Sequence, residues 1–555
     1  MHIDIYQKAD GVVVQERDGS GETVFSRFAA TAARYPEKPF IDVLPETAAA
    51  YRIAAGKITY AAMLKAVALR SAALATAKVG KGARIGLLLE NRPVFLEIFL
   101  AANSLGASVA PINPDLRAAE LEYLISHSEM SLAFVTAQRR ADVTTAAVAA
   151  GNAIPCITPD DPIPALPGPA PADPVLGPSA EAALLYTSGT TGQPKGCVLP
   201  NEYFLHSGDW YRDADGLIAL RPGEERMLTP LPVFHMNALA VSVMAMITVG
   251  GCLILLDRFH PRTWWDSVRD SGATCLHYLG VMPAMLMSAP ESEDDRRHAV
   301  RFGFGAGSPR ELHAPFEARF GFPLIEAWAM TETGSGGVIS AHDEPRKVGT
   351  NCFGRPGTDV EIRIVTDDGC DVVGDIPGEM LVRRAGSNPR YGFFSEYLKN
   401  PEATAEAWKG GWFHTGDIVS RDADGDLHFV DRKKNVIRRS GENIAAVEVE
   451  AIIARHPDIR EVAVAATPDP VRGDEVAALV VCDGPSHSAQ RANDLIRWAL
   501  GQMAYYKVPG WVGFVSELPR TPTEKILRSA LKDVVAWKME RGELHDTRAL
   551  KKRQS

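Results

Sequence analysis

The chain reads as an α/β protein: a large N-terminal lobe of mixed and parallel sheets with helices, a β-rich subdomain, and a small C-terminal α+β lobe. Three observations predict this. The first third alternates strand-like and helix-like segments with short links, the pattern of parallel sheet covered by helices. From about Val360 the texture changes to short strand candidates separated by Asp-Gly turns, Asp368-Gly369 and Asp424-Gly425. After Asp431-Arg432-Lys433-Lys434 a new helix and strand pattern fills the rest of the chain, about 120 residues, enough for a small lobe with its own core.

Taken in order, residues 84–89 (RIGLLL) predict a buried strand, and 92–105 (RPVFLEIFLAANSL) a helix with Asn91 as N-cap and Gly106 past its end. Residues 108–111 are strand-like, 116–126 helical and 131–135 a strand. The Pro-rich stretch 159–178 suits neither element and leads, as a surface connection, into a strand at 182–186. Residues 238–256 carry no charge. Gly250-Gly251 divides them into a helix and a short strand, so a buried α/β unit is the reading and a membrane span is not. Strands are expected at 359–366, 378–383 and 425–429. The last block predicts a helix at 446–456, strands at 461–466 and 475–482, a helix at 488–503 and a C-terminal helix, with a frayed tail at 551–555.

Composition bounds the function. The 555 residues, 46% hydrophobic and 23% charged, are ordinary for a soluble globular protein of several domains. A net charge of −10 argues against a general nucleic-acid binder. Seven widely spread cysteines without a CxxC pair fit the reduced thiols of a cytoplasmic protein, neither a disulfide framework nor a zinc site. The N-terminus has no apolar signal region. Asp422, Asp424 and Asp426 mimic a calcium loop, but Gly425 falls too early and no closing Glu follows, so a hairpin turn is expected.

The strongest chemical signal runs from Tyr186 to Gly196, directly after an apolar strand. Gly189 and Gly192 let backbone N–H groups approach an anion. Thr187, Ser188, Thr190 and Thr191 add hydroxyl donors, and Lys195 adds charge: a composition suited to polyphosphate. It is no Walker A loop, since no Gly-Lys-Ser/Thr follows.

This segment resembles the phosphate loop of the acyl-adenylate-forming (AMP-binding) enzymes, which include acyl-CoA synthetases, adenylation domains of peptide synthetases and beetle luciferases. Six further segments resemble that family, in its order. Pro232-Val-Phe-His235 is similar to the aromatic/His segment near the carboxylate pocket. Gly305-Ala306-Gly307-Ser308-Pro309 is similar to the adenine-contacting loop, and Trp328-Ala329-Met330-Thr331-Glu332 to the Tyr-Gly-Met-Thr-Glu motif. Trp412-Phe-His-Thr-Gly416-Asp417 resembles the ribose-binding segment. Asp431-Arg432-Lys433-Lys434 with Ser440-Gly441-Glu442-Asn443 resembles the hinge and the loop after it, and Pro519-Arg-Thr-Pro-Thr-Glu524-Lys525-Ile526 the catalytic-lysine motif.

The resemblance implies an ATP-dependent acid–CoA ligase, in its acyl-CoA synthetase branch and loosely similar to carnitine/crotonobetaine-type ligases. It implies a nucleotide and acyl domain over 1–430, a hinge over 431–434 at Lys434, and a mobile catalytic cap over 435–555. ATP, Mg²⁺ and coenzyme A are the implied cofactor and substrates. By resemblance, the 187–195 loop holds phosphates, Thr331 contacts the α-phosphate and Glu332 binds the metal. Asp417 and Arg432 hold the ribose, Lys525 bridges carboxylate and α-phosphate, and Ser440, Gly441 and Glu442 enter for thioester formation. The acyl pocket is expected around His235, Asn237, Met282, Ala329 and Gly336.

Three positions depart from the family spelling. Glu524 replaces Gly beside Lys525. Ala329 replaces Gly, which narrows the acyl pocket. Trp328 replaces Tyr, either as a ring stacked on adenine or as a core residue. The pocket segments 235–239, 281–284, 305–307 and 333–338 hold no Lys or Arg, so a second substrate carboxylate is not expected. A small or medium monocarboxylate is, with the run Gly334–Gly337 leaving room for it. A monomer or homodimer without nucleic acid or membrane partners is expected. Two other functions stay open: an enzyme loading a carrier-protein thiol, and a silent nucleotide-binding protein.

Overall fold

A computed structural model describes residues 2–8, 11–17, 21–167, 176–187, 193–432, 436–482, 488–519, 526 and 528–552; the side chains of 2–17, 431–436, 528 and 529 are not described. Ser188, Gly189, Thr190, Thr191, Gly192, Lys434 and Lys525 therefore lie outside the described residues, and Arg432 is described in its backbone alone.

Parallel pairing sets in where the alternation begins. Arg84–Leu88 lies between Ser108–Pro111 and Leu132–Val135, parallel to both. Helices Pro93–Ser104 and Ala118–Ser128 link these strands. Asn91 is not the N-cap. The helix starts with Pro93 in its first turn and Arg92 at the cap, since proline's fixed φ suits that position. Asn91 is instead a buried brace to the next sheet: its amide donates to Leu231 O and Leu256 O, and its Oδ1 accepts from Val233 N. The strand Glu181–Thr187 joins parallel to Ser108–Pro111, and Lys195–Pro200 returns antiparallel to it. The Gly-rich segment is thus the link between two paired strands.

The second sheet has a parallel centre, Pro39–Val43, Cys252–Leu255, Arg226–Thr229, Cys275–Leu279, Phe302–Ala306 and Leu324–Trp328, with antiparallel edges Gly56–Thr59 and Ile339–Ser340. The uncharged run behaves as expected. Its helix Val243–Val249 stops at Gly250, whose φ of 70° is the left-handed conformation glycine accepts without strain, and Cys252–Leu255 is buried. Among the described residues no helix is long and apolar enough to cross a membrane.

The β-rich part is a five-stranded antiparallel sheet, ordered Cys352–Gly354, Leu427–Arg432, Phe413–Arg421, Gly378–Arg384 and Val360–Val365. Gly425 forms the turn before the strand Leu427–Arg432 rather than part of it. At this turn the Lys347 ammonium sits 2.5, 2.7 and 3.2 Å from Asp422, Asp424 and Asp426.

The C-terminal domain has its own sheet around Gly473–Cys482, flanked by Ile459–Asp469, Val436–Arg439 and Trp511–Phe514. Val476, Ala478 and Val480 pack on one face with the helices Ala446–Ile453 and Ala489–Leu500. Ala477, Leu479 and Val481 pack on the other with Leu531 and Val535 of the helix Arg528–Glu540. Both clusters are separate from the large core of the N-terminal part. The helices are shorter than expected at their C-terminal ends, ending at Ile453 and Leu500. All seven cysteines are free, five of them buried.

Candidate functional site

The segment expected to meet polyphosphate is framed by strand pairing. Thr187 ends one strand, Lys195 opens its antiparallel partner, and the two residues face each other in register. The loop after the strand Leu324–Trp328 brings Glu332 to the same place. Glu332 is 7% exposed, and its Oε1 accepts from Tyr397 Oη at 2.8 Å and from Thr187 Oγ1 at 3.5 Å. The Lys195 ammonium lies 4.5 Å from the centre of the Tyr397 ring. Burial and the Glu332 carboxylate both push the Tyr397 phenol well above its usual range, so it stays a donor. Tyr203 fixes the same loop by donating its hydroxyl to Thr331 O at 2.9 Å.

The segments expected to meet the nucleoside lie on two parallel strands and the antiparallel sheet. Gly305 lies close against its neighbour: a Cβ there would be 2.2 Å from Tyr278 O. Beyond Ala306, Gly307 turns with φ 79°. The Glu326 carboxylate pins this turn, accepting from Gly307 N at 2.7 Å, Ser308 N at 3.0 Å and Tyr278 Oη at 2.6 Å. Trp328 is buried, and its indole Nε1 donates to Asp417 Oδ2 at 2.8 Å. Asp417 itself is 1% exposed, its N–H donates to Thr415 Oγ1, and its backbone pairs in register with Arg432. Trp328 is therefore a core residue that also has a polar role, its N–H orienting a buried carboxylate.

The segments expected at the acyl end lie where the two domains meet. Ser440 and Gly441, at φ 51° and 90°, form the two-residue turn between Val436–Arg439 and Glu442–Ala445, a pairing that needs left-handed backbone at both positions. The turn carries Glu442 to His235, where Oε1 lies 3.3 Å from Nε2. Gly441 packs against Leu279; a Cβ there would be 2.6 Å from its Cδ1. Desolvation by the packed domains disfavours a charged His235, whose side chain stays partly exposed, but the Glu442 carboxylate outweighs it and holds the imidazole above its usual value. Asn237 opens one wide helical turn, Asn237–Ser242, and its Oδ1 is buried with no hydrogen-bond partner among the described residues. The Ala329 methyl is exposed.

Two pocket expectations meet different surroundings. Met282 is buried and lines a small apolar cavity with Trp264, Leu276, Leu286 and Phe316. The glycine run is not open space. A Cβ on Gly334 would lie 2.4 Å from the Tyr203 ring, and one on Gly336 2.7 Å from Tyr391 O. These glycines admit the segment 391–393 close against them. Sequence reasoning missed Tyr397, Tyr203 and Glu326, none of which sits inside a motif.

Known proteins share this arrangement of segments. The AMP-binding enzyme family matches residues 28–392, and the C-terminal domain of AMP-binding enzymes matches 448–525. The chain is 32% identical over 522 residues to a sulfoacetate–CoA ligase of Cupriavidus necator, covering 92% of this chain and 97% of that protein. It is 31% identical over 480 residues to a crotonobetaine/carnitine–CoA ligase of Shigella flexneri, covering 82% and 89%. Among solved structures, a malonyl-CoA ligase with methylmalonyl-CoA and AMP bound superposes with a TM-score of 0.70 at 28% identity, covering 87% of this chain and 97% of that one. With both parts of the family matched in order across most of its length, the chain belongs to the AMP-binding enzymes.

Proposed function

We propose that this enzyme is an ATP-dependent acid–CoA ligase that activates a small or medium monocarboxylic acid as its acyl-adenylate. The observation that carries this reading is the meeting of Glu442 with His235, because it seats a loop of the C-terminal domain at the acyl end of a site whose other groups suit a nucleotide. The similarity to two CoA ligases over most of the chain supports it.

The chemistry follows from the leaving group. A thiol cannot displace oxide from a carboxylate, so the acid is activated first. A carboxylate oxygen attacks the α-phosphorus of ATP, the bond to the β-phosphate bridging oxygen breaks, and pyrophosphate leaves. The CoA thiol, losing its proton, then attacks the acyl carbon, and AMP leaves with the oxygen the acid brought. Catalysis in the first step is positioning and charge neutralisation. We assign Lys195 and the hydroxyls of the 187–192 segment to the β- and γ-phosphates, and the turn at Gly305–Gly307 with Trp328 to the adenine side. Asp417, with Arg432, takes the ribose hydroxyls. Thr331 meets the α-phosphate, and Lys525 bridges it to the carboxylate.

Glu332 and the Thr187 hydroxyl offer the hard oxygen donors that Mg²⁺ prefers, and these residues would hold it. When bound, the ion supplies further neutralisation of phosphate charge. We assign the hinge to Lys434, with domains over 1–430 and 435–555. His235, Asn237 and Ala329 line the acyl end. The absence of Lys and Arg from 235–239, 281–284, 305–307 and 333–338 supports an acid without a second anionic group.

The test is AMP release from ATP against a panel of carboxylic acids, with and without CoA. The expected result is acid-dependent ATP–pyrophosphate exchange without CoA, and acyl-CoA with equimolar AMP when it is added. Exchange that no acid supports, or acyl transfer only to a carrier-protein thiol, contradicts the reading.

A further inference from the structure

The two domains also meet at a buried group of charges away from the reacting end. Lys507, on the segment before the strand Trp511–Phe514, places its Nζ 2.7 Å from Glu120 Oε1 and 2.5 Å from Glu448 Oε1. All three side chains are less than a tenth exposed. Lys507 and Glu448 belong to the C-terminal domain; Glu120 stands in the first turn of the N-terminal helix Ala118–Ser128. The second Glu120 oxygen accepts from Ala504 N across the interface at 2.8 Å and from Arg117 N at 3.0 Å. Beside it Asn113 Nδ2 donates to Tyr506 Oη at 2.9 Å. The two carboxylates hold the Lys507 ammonium above its usual range despite burial.

This charge group is connected to the reacting end. Glu448 lies in the first turn of the helix Ala446–Ile453, which directly follows the strand beginning at Glu442. A domain docked through Lys507 therefore fixes the base of the hairpin that carries Glu442 to His235. The contact depends on the domain orientation. The Lys507–Glu448 pair lies within the C-terminal domain, whereas the bonds to Glu120 cross between the domains and would break if they parted. Two carboxylates share the one ammonium, so Glu120→Gln leaves the Lys507–Glu448 pair intact and removes the charge-assisted bond that crosses between the domains.

We propose that Glu120 is a positioning residue, holding the C-terminal domain in the orientation that seats Glu442 at His235 and so favouring the thioester-forming half-reaction. The proposal rests on the ligase reading above. Glu120 touches no reacting atom, so its loss acts on one half-reaction and not on both.

The experiment compares wild type with Glu120→Gln and with Tyr506→Phe, which keeps its ring in the core. Thioester formation from supplied acyl-adenylate and CoA is expected to fall about tenfold in Glu120→Gln and about threefold in Tyr506→Phe. Acid-dependent ATP–pyrophosphate exchange is expected to stay within twofold of wild type. Amide hydrogen exchange of 113–120 and 503–508 is expected to quicken in both variants without change elsewhere, a readout that needs no substrate. Equal loss of both half-reactions, or unchanged half-reactions with unchanged amide exchange, overturns the proposal. If no acid supports pyrophosphate exchange in wild type, the ligase reading fails, and amide exchange alone still decides whether Glu120 holds the domains together.

Discussion

Trp328 shows what a single side chain adds to a motif. In the sequence it is a flat ring in place of tyrosine; in the structure its N–H is committed to Asp417. That bond orients the buried carboxylate we assign to the ribose. A hydrogen bond to a charged group contributes about 1.5–3 kcal/mol. Trp328→Phe, which keeps an aromatic ring, should therefore raise KM for ATP about tenfold or more while kcat changes little, measured by acid-dependent pyrophosphate exchange. An unchanged KM would mean the indole only fills space. Residues inside motifs were legible because their order and spacing are constrained. Tyr397, Tyr203 and Glu326 were not, since each reaches the site from an element whose sequence is that of a plain strand or helix and declares itself only by packing. Asn91 illustrates the converse. A good capping residue beside a helix was captured by three buried backbone groups of the neighbouring sheet, a stronger demand than one cap.

Among the elements, the strand Phe413–Arg421 was illegible where its neighbours were clear. Its inward positions include Thr415 and Asp417, polar residues that break the apolar alternation by which strands are recognised. Those same residues carry its chemistry: Thr415 Oγ1 donates to Met380 O and accepts from Asp417 N. The glycine run after Glu332 was legible as compact but not as filled. Small residues in a loop leave room either for a ligand or for another stretch of backbone, and here Tyr391–Phe393 takes it. Gly336→Ala should accordingly cost stability, about 1–3 kcal/mol as for other overpacked interiors, read as a lower denaturant midpoint. The preferred acid should stay the same. A wild-type midpoint with a shift toward shorter acids would return the run to the acyl pocket.

The whole molecule was legible in its sheets and not in their arrangement. Alternating βαβ units, Asp-Gly hairpins and a differently patterned tail are local signals, and each became its own sheet. How the C-terminal domain docks is not local. It depends on Lys507 meeting Glu120, 387 residues apart in sequence, and on a two-residue turn reaching His235. An acid carried through an adenylate leaves one of its oxygens on AMP, and that oxygen is traceable. With an accepted acid labelled with ¹⁸O in both carboxylate positions, ATP and CoA, each turnover should place one ¹⁸O in the phosphate of AMP and leave one in the thioester carbonyl. Mass spectrometry of the AMP reads this directly. Unlabelled AMP accompanying acyl-CoA, or label in inorganic phosphate with ADP as product, would contradict it.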